Sequence, residues 1–164
     1  MVYIGLGSNL GNRFETLQKA VDQIAAEVGT VESISRVYET PAWGFESEAF
    51  LNACIQVNSK KNPFEIIEIL LSIETKLGRK RIESDSYQAR SIDLDIVLYK
   101  DQIINEEHLQ IPHPRMEIRQ FVLTPLADIA AKVNHPILNR TIEKLQQECA
   151  DNSNLILWGD ELKK

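Results

Sequence analysis

Hydrophobic and polar residues alternate along several stretches of the chain, and an alternation with a period of two predicts β-strands. The clearest stretch runs from Ser91 to Tyr99, where every second residue is a bulky aliphatic. Successive side chains of a strand point to opposite faces, so this run predicts one core face. That face consists of Ile92, Leu94, Ile96 and Leu98. Similar patterns predict strands over 2–7, 31–40 and 49–59, with short strands over 102–105 and 155–158.

Apolar residues with a helical period lie between these strands. One such pattern predicts a helix from about Asn12 to Gly29, and another predicts a helix from Pro63 to Gly78. Proline is tolerated in the first turn of a helix, and glycine is typical just after the last turn. Further helices are predicted near 122–132 and 141–150.

The resulting order, β-α-β-β-α-β followed by helices, indicates the fold class. It predicts an α+β protein with a ferredoxin-like antiparallel sheet, both helices on one face, and a C-terminal helical extension. No internal repeat or linker-like segment divides the 164 residues, which predicts one domain spanning 1–164. The other face of such a sheet is expected to be open. The phase of each strand then places six residues on that open face: Gly5, Gly7, Phe50, Asn52, Asp93 and Asp95.

Two carboxylates on the aspartate strand suggest a metal site. Asp93 and Asp95 are at positions i and i+2, so they point the same way, about 7 Å apart. Side by side they repel each other unless a cation neutralises them. Mg²⁺ takes hard oxygen ligands, often one or two carboxylates together with substrate phosphates. The alternative is an ordinary solvated strand face, because a D-x-D pair alone is a weak motif.

Basic residues cluster in a chain that is acidic as a whole. The net charge is −6, from 18 Lys and Arg against 24 Asp and Glu. The cluster comprises Arg79, Lys80, Arg81 and Arg90, followed later by Arg115 and Arg119. Arginine matches phosphate oxygens in a bidentate fashion, so the cluster favours a phosphate clamp over a salt-bridged surface.

Other motifs carry less information by themselves. The glycine-rich segment from Gly5 to Gly11 matches neither nucleotide-binding fingerprint, which favours a structural turn with close ligand approach. Aromatic residues usually belong to the core, but Trp43 and Tyr87 lie in polar loops and are candidates to sandwich a flat heterocycle. His113, between two prolines, is a candidate to donate a hydrogen bond to phosphate. His135 is predicted to be a surface residue.

The bulk properties exclude some classes of function. An acidic chain argues against a general binder of nucleic acids or anionic membranes. No apolar run approaches the roughly 20 residues of a membrane span. The chain enters a strand pattern at its first residues, which predicts no signal peptide. Cys54 and Cys149 are isolated and are expected to be buried, reduced thiols of a cytoplasmic protein, not a disulfide or a zinc site.

Taken together, these motifs resemble the 6-hydroxymethyl-7,8-dihydropterin pyrophosphokinase family. R-x-I-D-L-D followed by P-H-P-R-M is highly specific in combination, and the resemblance covers about three quarters of the chain. The matching stretches are Tyr3–Gly11, Tyr38–Pro41, Phe50–Asn52, Ile73–Glu74, Leu77–Arg79, Arg90–Asp95 and Ile111–Met116, with Arg119 and Phe121. The resemblance implies a ferredoxin-like enzyme of folate synthesis that moves pyrophosphate from ATP to a pterin alcohol.

The resemblance also implies roles for individual residues. Asp93 and Asp95 are expected to bind two Mg²⁺ ions that bridge ATP and the pterin hydroxyl. Arg79 and Arg90 are expected to clamp the transferring phosphates. Further ATP contacts are expected from Arg81, His113, Arg115 and Arg119. The pterin pocket is expected to comprise Thr40, Pro41, Ala42, Trp43, Phe50, Asn52, Tyr87 and Phe121, with Tyr87 standing where the family commonly has tryptophan.

The partners expected from this interpretation are two small-molecule substrates, ATP and the hydroxymethyldihydropterin. The protein is expected to be a monomer that binds neither nucleic acid nor a membrane. Two other classes of function fit the fold. A non-catalytic ferredoxin-like module that binds a small molecule does not explain why paired aspartates face an arginine cluster. An RNA-binding sheet predicts exposed aromatic residues on a basic surface, whereas this chain places carboxylates there.

Overall fold

The computed structural model describes residues 1–40, 49–78 and 91–164. Its strands are β1 (Val2–Ser8), β2 (Thr30–Ile34), β3 (Tyr38–Thr40), β4 (Phe50–Asn58), β5 (Asp93–Tyr99), β6 (Ile104–Glu106), β7 (Leu109–Ile111) and β8 (Ile156–Leu157). Its α-helices are α1 (Arg13–Glu27), α2 (Pro63–Lys76), α3 (Gln120–Ala130) and α4 (Ile142–Glu148), and Met116–Ile118 form a short 3-10 helix.

Within the described residues, one antiparallel sheet of six strands forms the centre of the fold. The strand order is β5-β1-β4-β3-β8, and β2 pairs with β4 beside β3. The strands β6 and β7 form a separate hairpin. The predicted α+β class and antiparallel sheet are therefore confirmed. The sheet is larger than predicted, because the predicted strand over 31–40 is divided and β8 is added at its edge.

The division of that strand follows from a side-chain contact between Ser35 and the neighbouring strand β4. The backbone N–H of Ser35 bonds to the carbonyl of Cys54, and the Ser35 hydroxyl accepts the N–H of Cys54 at 2.8 Å. A serine side chain that replaces a backbone partner in this way interrupts the regular ladder. The chain consequently leaves β4 after Ile34 and pairs with it again from Tyr38.

The first face of the sheet carries the main hydrophobic core. Helices α1 and α2 cover this face with the apolar stripes predicted from their period. Asn12 and Asn62 cap the two helices, each accepting the N–H of a glutamate three residues later. The predicted core face of β4 is buried throughout: Leu51, Ala53, Ile55 and Val57.

The second face of the sheet was predicted to be open, and that prediction is wrong. A second hydrophobic cluster covers part of it, where α3 and α4 pack over the ends of β1, β4 and β5. The buried members of this cluster are Tyr3, Cys54, Val97, Leu98, Met116, Leu123, Leu126, Ala130, Ile142 and Leu145. The helical extension is thus a third layer of the fold. The end of this face near Asp93 and Asn52 borders a cavity.

The assignment of Leu98 to the first face is also wrong. Ile4 lies opposite Ile96, but its neighbour Tyr3 lies opposite Leu98, so β5 contains an extra residue. Such a bulge shifts the alternation by one position. Leu98 therefore packs in the second cluster, and Tyr99 packs in the main core.

His135 was predicted to lie on the surface, but its side chain is buried. The imidazole Nδ1 accepts the backbone N–H groups of Ile137 and Leu138, each at 3.2 Å. Burial lowers the pKa of His135, and the charge of Glu117 opposes this effect. The imidazole is thus a structural acceptor that must stay neutral to hold its loop.

We expect this histidine to make the protein less stable in mild acid. Its pKa in the folded state is below the unfolded value of about 6.5, so the unfolded state takes up a proton first as the pH falls. The stabilisation is complete above the unfolded pKa and is lost below it. Thermal melting between pH 8 and pH 5 should show a decline that His135→Asn reduces, because an amide oxygen accepts the same bonds without titrating. The exposed His108 provides the control, His108→Asn; equal pH slopes for His135→Asn and the wild type would contradict the prediction.

No helix within the described residues is long and apolar enough to cross a membrane. Cys54 and Cys149 are both free thiols; Cys54 is buried as predicted, whereas Cys149 is partly exposed, so its predicted burial is wrong.

Candidate active site

A cavity of about 340 Å³ lies over the accessible end of the second face. Strands β1, β3, β4 and β5 form its floor, and the segment from residue 113 to residue 122 forms its wall. The lining residues are Gly5, Leu6, Gly7, Thr40, Phe50, Asn52, Ala53, Cys54, Asp93, Asp95, Val97, His113, Arg115, Ile118, Arg119, Phe121 and Val122.

Two glycines of β1 create the open space of this cavity. Gly7 lies between Asp93 on β5 and Asn52 on β4, and Gly5 lies between Asp95 and Cys54. Strands are about 4.8 Å apart, so the aspartates and the β4 residues are separated by roughly 10 Å across a bare strand. A Cβ atom on Gly7 would lie 3.1 Å from the Asn52 Oδ1 atom. The glycines therefore leave room for a flat ligand between carboxylates and an amide.

The two aspartates line the same side of the cavity. They flank Leu94, whose side chain is buried in the main core and fixes the phase of the strand. The Asp95 side chain is about half exposed, at 47%, and its Oδ2 atom lies 3.9 Å from the Nε2 atom of His113. His113 is held there because its backbone N–H bonds to the carbonyl of Val97 at 2.9 Å.

The donor set at this end of the cavity fits Mg²⁺ that is shared with a phosphate substrate. No group of three or more His, Cys, Asp and Glu side chains suited to a metal occurs in the part of the chain that the structure describes. Two hard carboxylates alone leave most of an octahedral shell to be filled. Mg²⁺ usually fills such positions with water and substrate phosphate oxygens, which suits an accessible pair.

The wall of the cavity is basic. Arg115 and Arg119 line it beside His113, and the Arg119 guanidinium lies over the Phe121 ring at 5.7 Å. Burial lowers the pKa of His113, and the positive charge of Arg119 lowers it further. The imidazole is therefore a neutral hydrogen-bonding group at neutral pH, and the arginines supply the positive charge.

Polar and aromatic groups line the opposite side. Asn52 is buried, and its Nδ2 atom donates a hydrogen bond to the Thr40 hydroxyl at 2.8 Å. An amide carries two N–H donors and an acceptor oxygen, so one bond to Thr40 leaves capacity to pair with a ligand. Phe50 and Phe121 contribute rings from β4 and α3. These groups suit a flat heterocycle with a donor and acceptor edge.

Glu74 supports the aspartate strand from behind, a role that the sequence patterns did not indicate. Its side chain is buried, and its Oε2 atom accepts the backbone N–H of Leu94 at 2.9 Å. Because β5 is the outer strand of the sheet, this amide needs an acceptor other than a further strand. The available signal was a glutamate four residues after Leu70, on the buried stripe of α2.

Cys54, Val97 and Val122 form an apolar part of the lining that the sequence did not identify as part of a site. Cys54 was predicted only to be an isolated reduced thiol, without a role in a site. Burial raises the pKa of its thiol, so the group is neutral and acts as a small apolar side chain.

The structure brings nine of the predicted site residues to one cavity. They are Thr40, Phe50, Asn52, Asp93, Asp95, His113, Arg115, Arg119 and Phe121. Their individual roles remain predictions. The other predicted site residues lie outside the described residues: Pro41, Ala42, Trp43, Arg79, Arg81, Tyr87 and Arg90.

Comparison with known proteins adds independent information. The model of the family "7,8-dihydro-6-hydroxymethylpterin-pyrophosphokinase (HPPK)" matches residues 3–131. Two relatives carry the name 2-amino-4-hydroxy-6-hydroxymethyldihydropteridine pyrophosphokinase. The protein from Aquifex aeolicus is 39% identical over 148 residues, covering 90% of this chain and 91% of the relative. The protein from Bacillus subtilis is 42% identical over 135 residues, covering 81% and 80%.

Solved structures with a similar fold are larger proteins. A crystal structure of an HPPK-DHPS in complex with substrates has a TM-score of 0.70 at 15% identity, covering 89% of this chain. Wild-type HPPK-DHPS from Plasmodium falciparum has a TM-score of 0.72 at 16% identity, covering 90% of this chain. This chain spans 42% and 44% of those two proteins. At these identities the likeness supports the fold alone.

Proposed function

This chain belongs to the 7,8-dihydro-6-hydroxymethylpterin-pyrophosphokinase family, and from that premise we propose that the cavity between Asp93 and Asn52 is its active site. The reaction is the transfer of pyrophosphate from ATP to 6-hydroxymethyl-7,8-dihydropterin in tetrahydrofolate biosynthesis, which releases AMP. The hydroxymethyl oxygen attacks the β-phosphorus, and the bond to the oxygen of the α-phosphate breaks. AMP leaves with the electron pair of that bond.

We assign metal binding to Asp93 and Asp95, as a pair that holds two Mg²⁺ ions together with phosphate oxygens. Their fit rests on two hard carboxylates that line one cavity with basic groups. When bound, the ions would neutralise charge at the phosphates and would ease the loss of the proton of the attacking hydroxyl, which would pass to water. No side-chain base is needed at the attacking oxygen.

The basic wall is assigned to the nucleotide. Arg115 and Arg119 carry positive charge toward the phosphates, and neutral His113 donates a hydrogen bond. Arg79, Arg81 and Arg90 are proposed to complete this clamp. Phosphoryl transfer depends mainly on positioning and on stabilising charge at the transferring oxygens, and these are the tasks that arginine performs well.

The opposite side is assigned to the pterin. Asn52, oriented by Thr40, pairs with the donor and acceptor edge of the heterocycle, and Phe50 and Phe121 contact its ring faces. Pro41, Ala42, Trp43 and Tyr87 are proposed to complete this pocket. The glycines of β1 leave the two substrates in contact, with the hydroxymethyl group directed toward the aspartates.

The observation that carries this assignment is the register in which Gly7 lies between Asp93 and Asn52, while Gly5 separates Asp95 from Cys54. We expect purified protein with Mg²⁺ and ATP to release AMP only when the hydroxymethyldihydropterin is added. Chromatography of the nucleotides, with the pterin lacking its hydroxymethyl group as control, tests this. Release of ADP, or AMP release independent of the pterin, would refute the proposed chemistry.

Finer features of the protein are part of this proposal. The order of β1, α1, β4, α2 and β5 supports a ferredoxin-like core in which β2 and β3 together take the place of one strand. The free thiols support a reducing, cytoplasmic location. We propose a monomer as the active form, because nine of the predicted site residues already meet in one cavity within a single copy of the chain.

A further inference from the structure

The C-terminal part of the chain extends the sheet at its edge, next to β3, the strand that contributes Thr40 to the cavity. The family model ends at residue 131, so α4 and β8 lie beyond it. β8 pairs with β3, and the backbone N–H of Trp158 bonds to the carbonyl of Val37 at 2.9 Å. Leu162 is then buried in the main core. This segment is therefore a packed part of the fold.

Arg13, the first residue of α1, joins this segment to both flanks of the cavity. Its Nη1 atom donates to the carbonyl of Ala49 at 2.6 Å. Its Nη2 atom lies 2.8 Å from the Glu39 Oε2 atom, and its guanidinium lies over the Trp158 ring at 5.3 Å. The side chain is only 17% exposed. One arginine thus contacts β3, the residue that precedes β4, and the C-terminal segment.

The residues that Arg13 holds are adjacent to residues of the cavity. Glu39 precedes Thr40, and Ala49 precedes Phe50. Thr40 and Phe50 are paired across β3 and β4, and Thr40 accepts the hydrogen bond from Asn52. A shift of Arg13 would consequently be transmitted through one peptide unit to Thr40 and through another to Phe50, on the same side of the proposed pterin pocket.

The strand β3 needs such support because it is only three residues long. Without β8 it would be an exposed edge strand, held by β4 alone. Short edge strands have few hydrogen bonds and open readily. Stacking of a guanidinium on tryptophan is strongest where the pair is shielded from water, as this arginine is.

We propose that Trp158, acting through Arg13, is a positioning residue for the Thr40–Phe50 side of the pterin pocket. The inference rests on the proposed function, because it assigns that side of the cavity to the pterin. It involves residues that contact neither substrate. It predicts that a change in the C-terminal segment alters pterin recognition and leaves the nucleotide side intact.

Steady-state kinetics with two matched variants tests the proposal. Trp158→Leu keeps an apolar side chain but removes the ring, and we expect it to raise KM for the pterin about threefold to tenfold. Its KM for ATP and its kcat should stay within about twofold of the wild type, because the ring stabilises, through Arg13, the pterin side of the cavity and not the nucleotide side. Trp158→Phe retains a ring and should restore the wild-type KM. An unchanged pterin KM in Trp158→Leu would overturn the proposal.

A spectroscopic readout does not depend on the stability of the variant. The chain has two tryptophans, so 5-fluorotryptophan labelling gives two ¹⁹F resonances, and the Trp158→Phe sample identifies that of Trp158. We expect the Trp158 resonance of the wild type to shift when the pterin binds with a non-hydrolysable ATP analogue. A resonance that stays unmoved on pterin binding would contradict the coupling.

A control distinguishes this coupling from general loosening of the C-terminus. Gln18 and Lys163 exchange two hydrogen bonds, at 2.8 and 2.9 Å, without involving Arg13. Gln18→Ala should therefore leave the pterin KM unchanged, and a rise like that of Trp158→Leu would refute a specific role of Trp158. Lack of pterin-dependent AMP release in the wild type would instead refute the proposed function.

Discussion

Replacement of Asp95 by alanine is expected to lower kcat by about two to three orders of magnitude or more and to leave the protein folded. The Asp95 side chain is about half exposed at 47%, so its loss leaves the core unchanged. It also removes repulsion from Asp93, which lies two residues away on the same strand face. The loss of activity follows from weaker metal binding and from phosphate charge that is no longer neutralised.

Two further measurements on Asp95→Ala separate a loss of metal binding from a loss of folding. Thermal melting should show a Tm close to that of the wild type, and Mn²⁺ binding in the presence of an ATP analogue should be weakened. Asp101, an exposed carboxylate just after β5, provides the matched control, and Asp101→Ala should retain full activity. Near-normal turnover by Asp95→Ala would refute the assignment of metal binding to this pair.

Replacement of Asn52 by leucine is expected to reduce kcat/KM for the pterin by about a thousandfold. Leucine has nearly the same size, so the cavity keeps its shape but loses the donor and acceptor that pair with the heterocycle. Polar groups of the bound pterin are then desolvated without a partner, which disfavours binding and the transition state alike. The lost bond to Thr40 should lower the free energy of unfolding by only about 1 kcal/mol.

The control for this variant lies on the same face of the same strand. Gln56 bonds to Tyr3 and Ser33 and does not line the cavity, so Gln56→Leu removes an amide outside the site. Its kcat/KM should stay within about threefold of the wild type, as is usual for a change remote from the substrate. A loss below about tenfold in Asn52→Leu would remove Asn52 from the recognition edge, because a site built on hydrogen bonds discriminates far more strongly.

Local periodicity was sufficient for most of the elements. The stripes on α1 and α2 and the alternation in β1 and β4 are set by one short segment each, and the structure places them as predicted; β5 follows its predicted alternation as far as Ile96. The same periodicity placed Asp93 and Asp95 on the face shared with Asn52. The face to which a side chain points depends on backbone geometry over a few residues, so it can be predicted without knowledge of the partner strands.

Predictions from periodicity were wrong where contacts with a distant segment set a strand boundary or the direction of a side chain. The division between β2 and β3 depends on a hydrogen bond between Ser35 and Cys54, which are far apart in sequence. The displacement of Leu98 depends on the register of β5 against β1. The short strand β7 was missed because three residues show no clear alternation before Pro112.

The sequence by itself therefore determined the class of the fold, the apolar faces and the types of chemical group that meet, because these follow from local geometry and residue chemistry. Tertiary structure decided the register that places Gly7 between Asp93 and Asn52 and Gly5 between Asp95 and Cys54. It also decided that α3 and α4 cover part of the second face and leave a cavity at its end. Glu74 behind Leu94, and Trp158 against Arg13, belong to the same category. Each of these joins distant segments, and such contacts are selected by packing of the whole chain, which no short sequence pattern encodes.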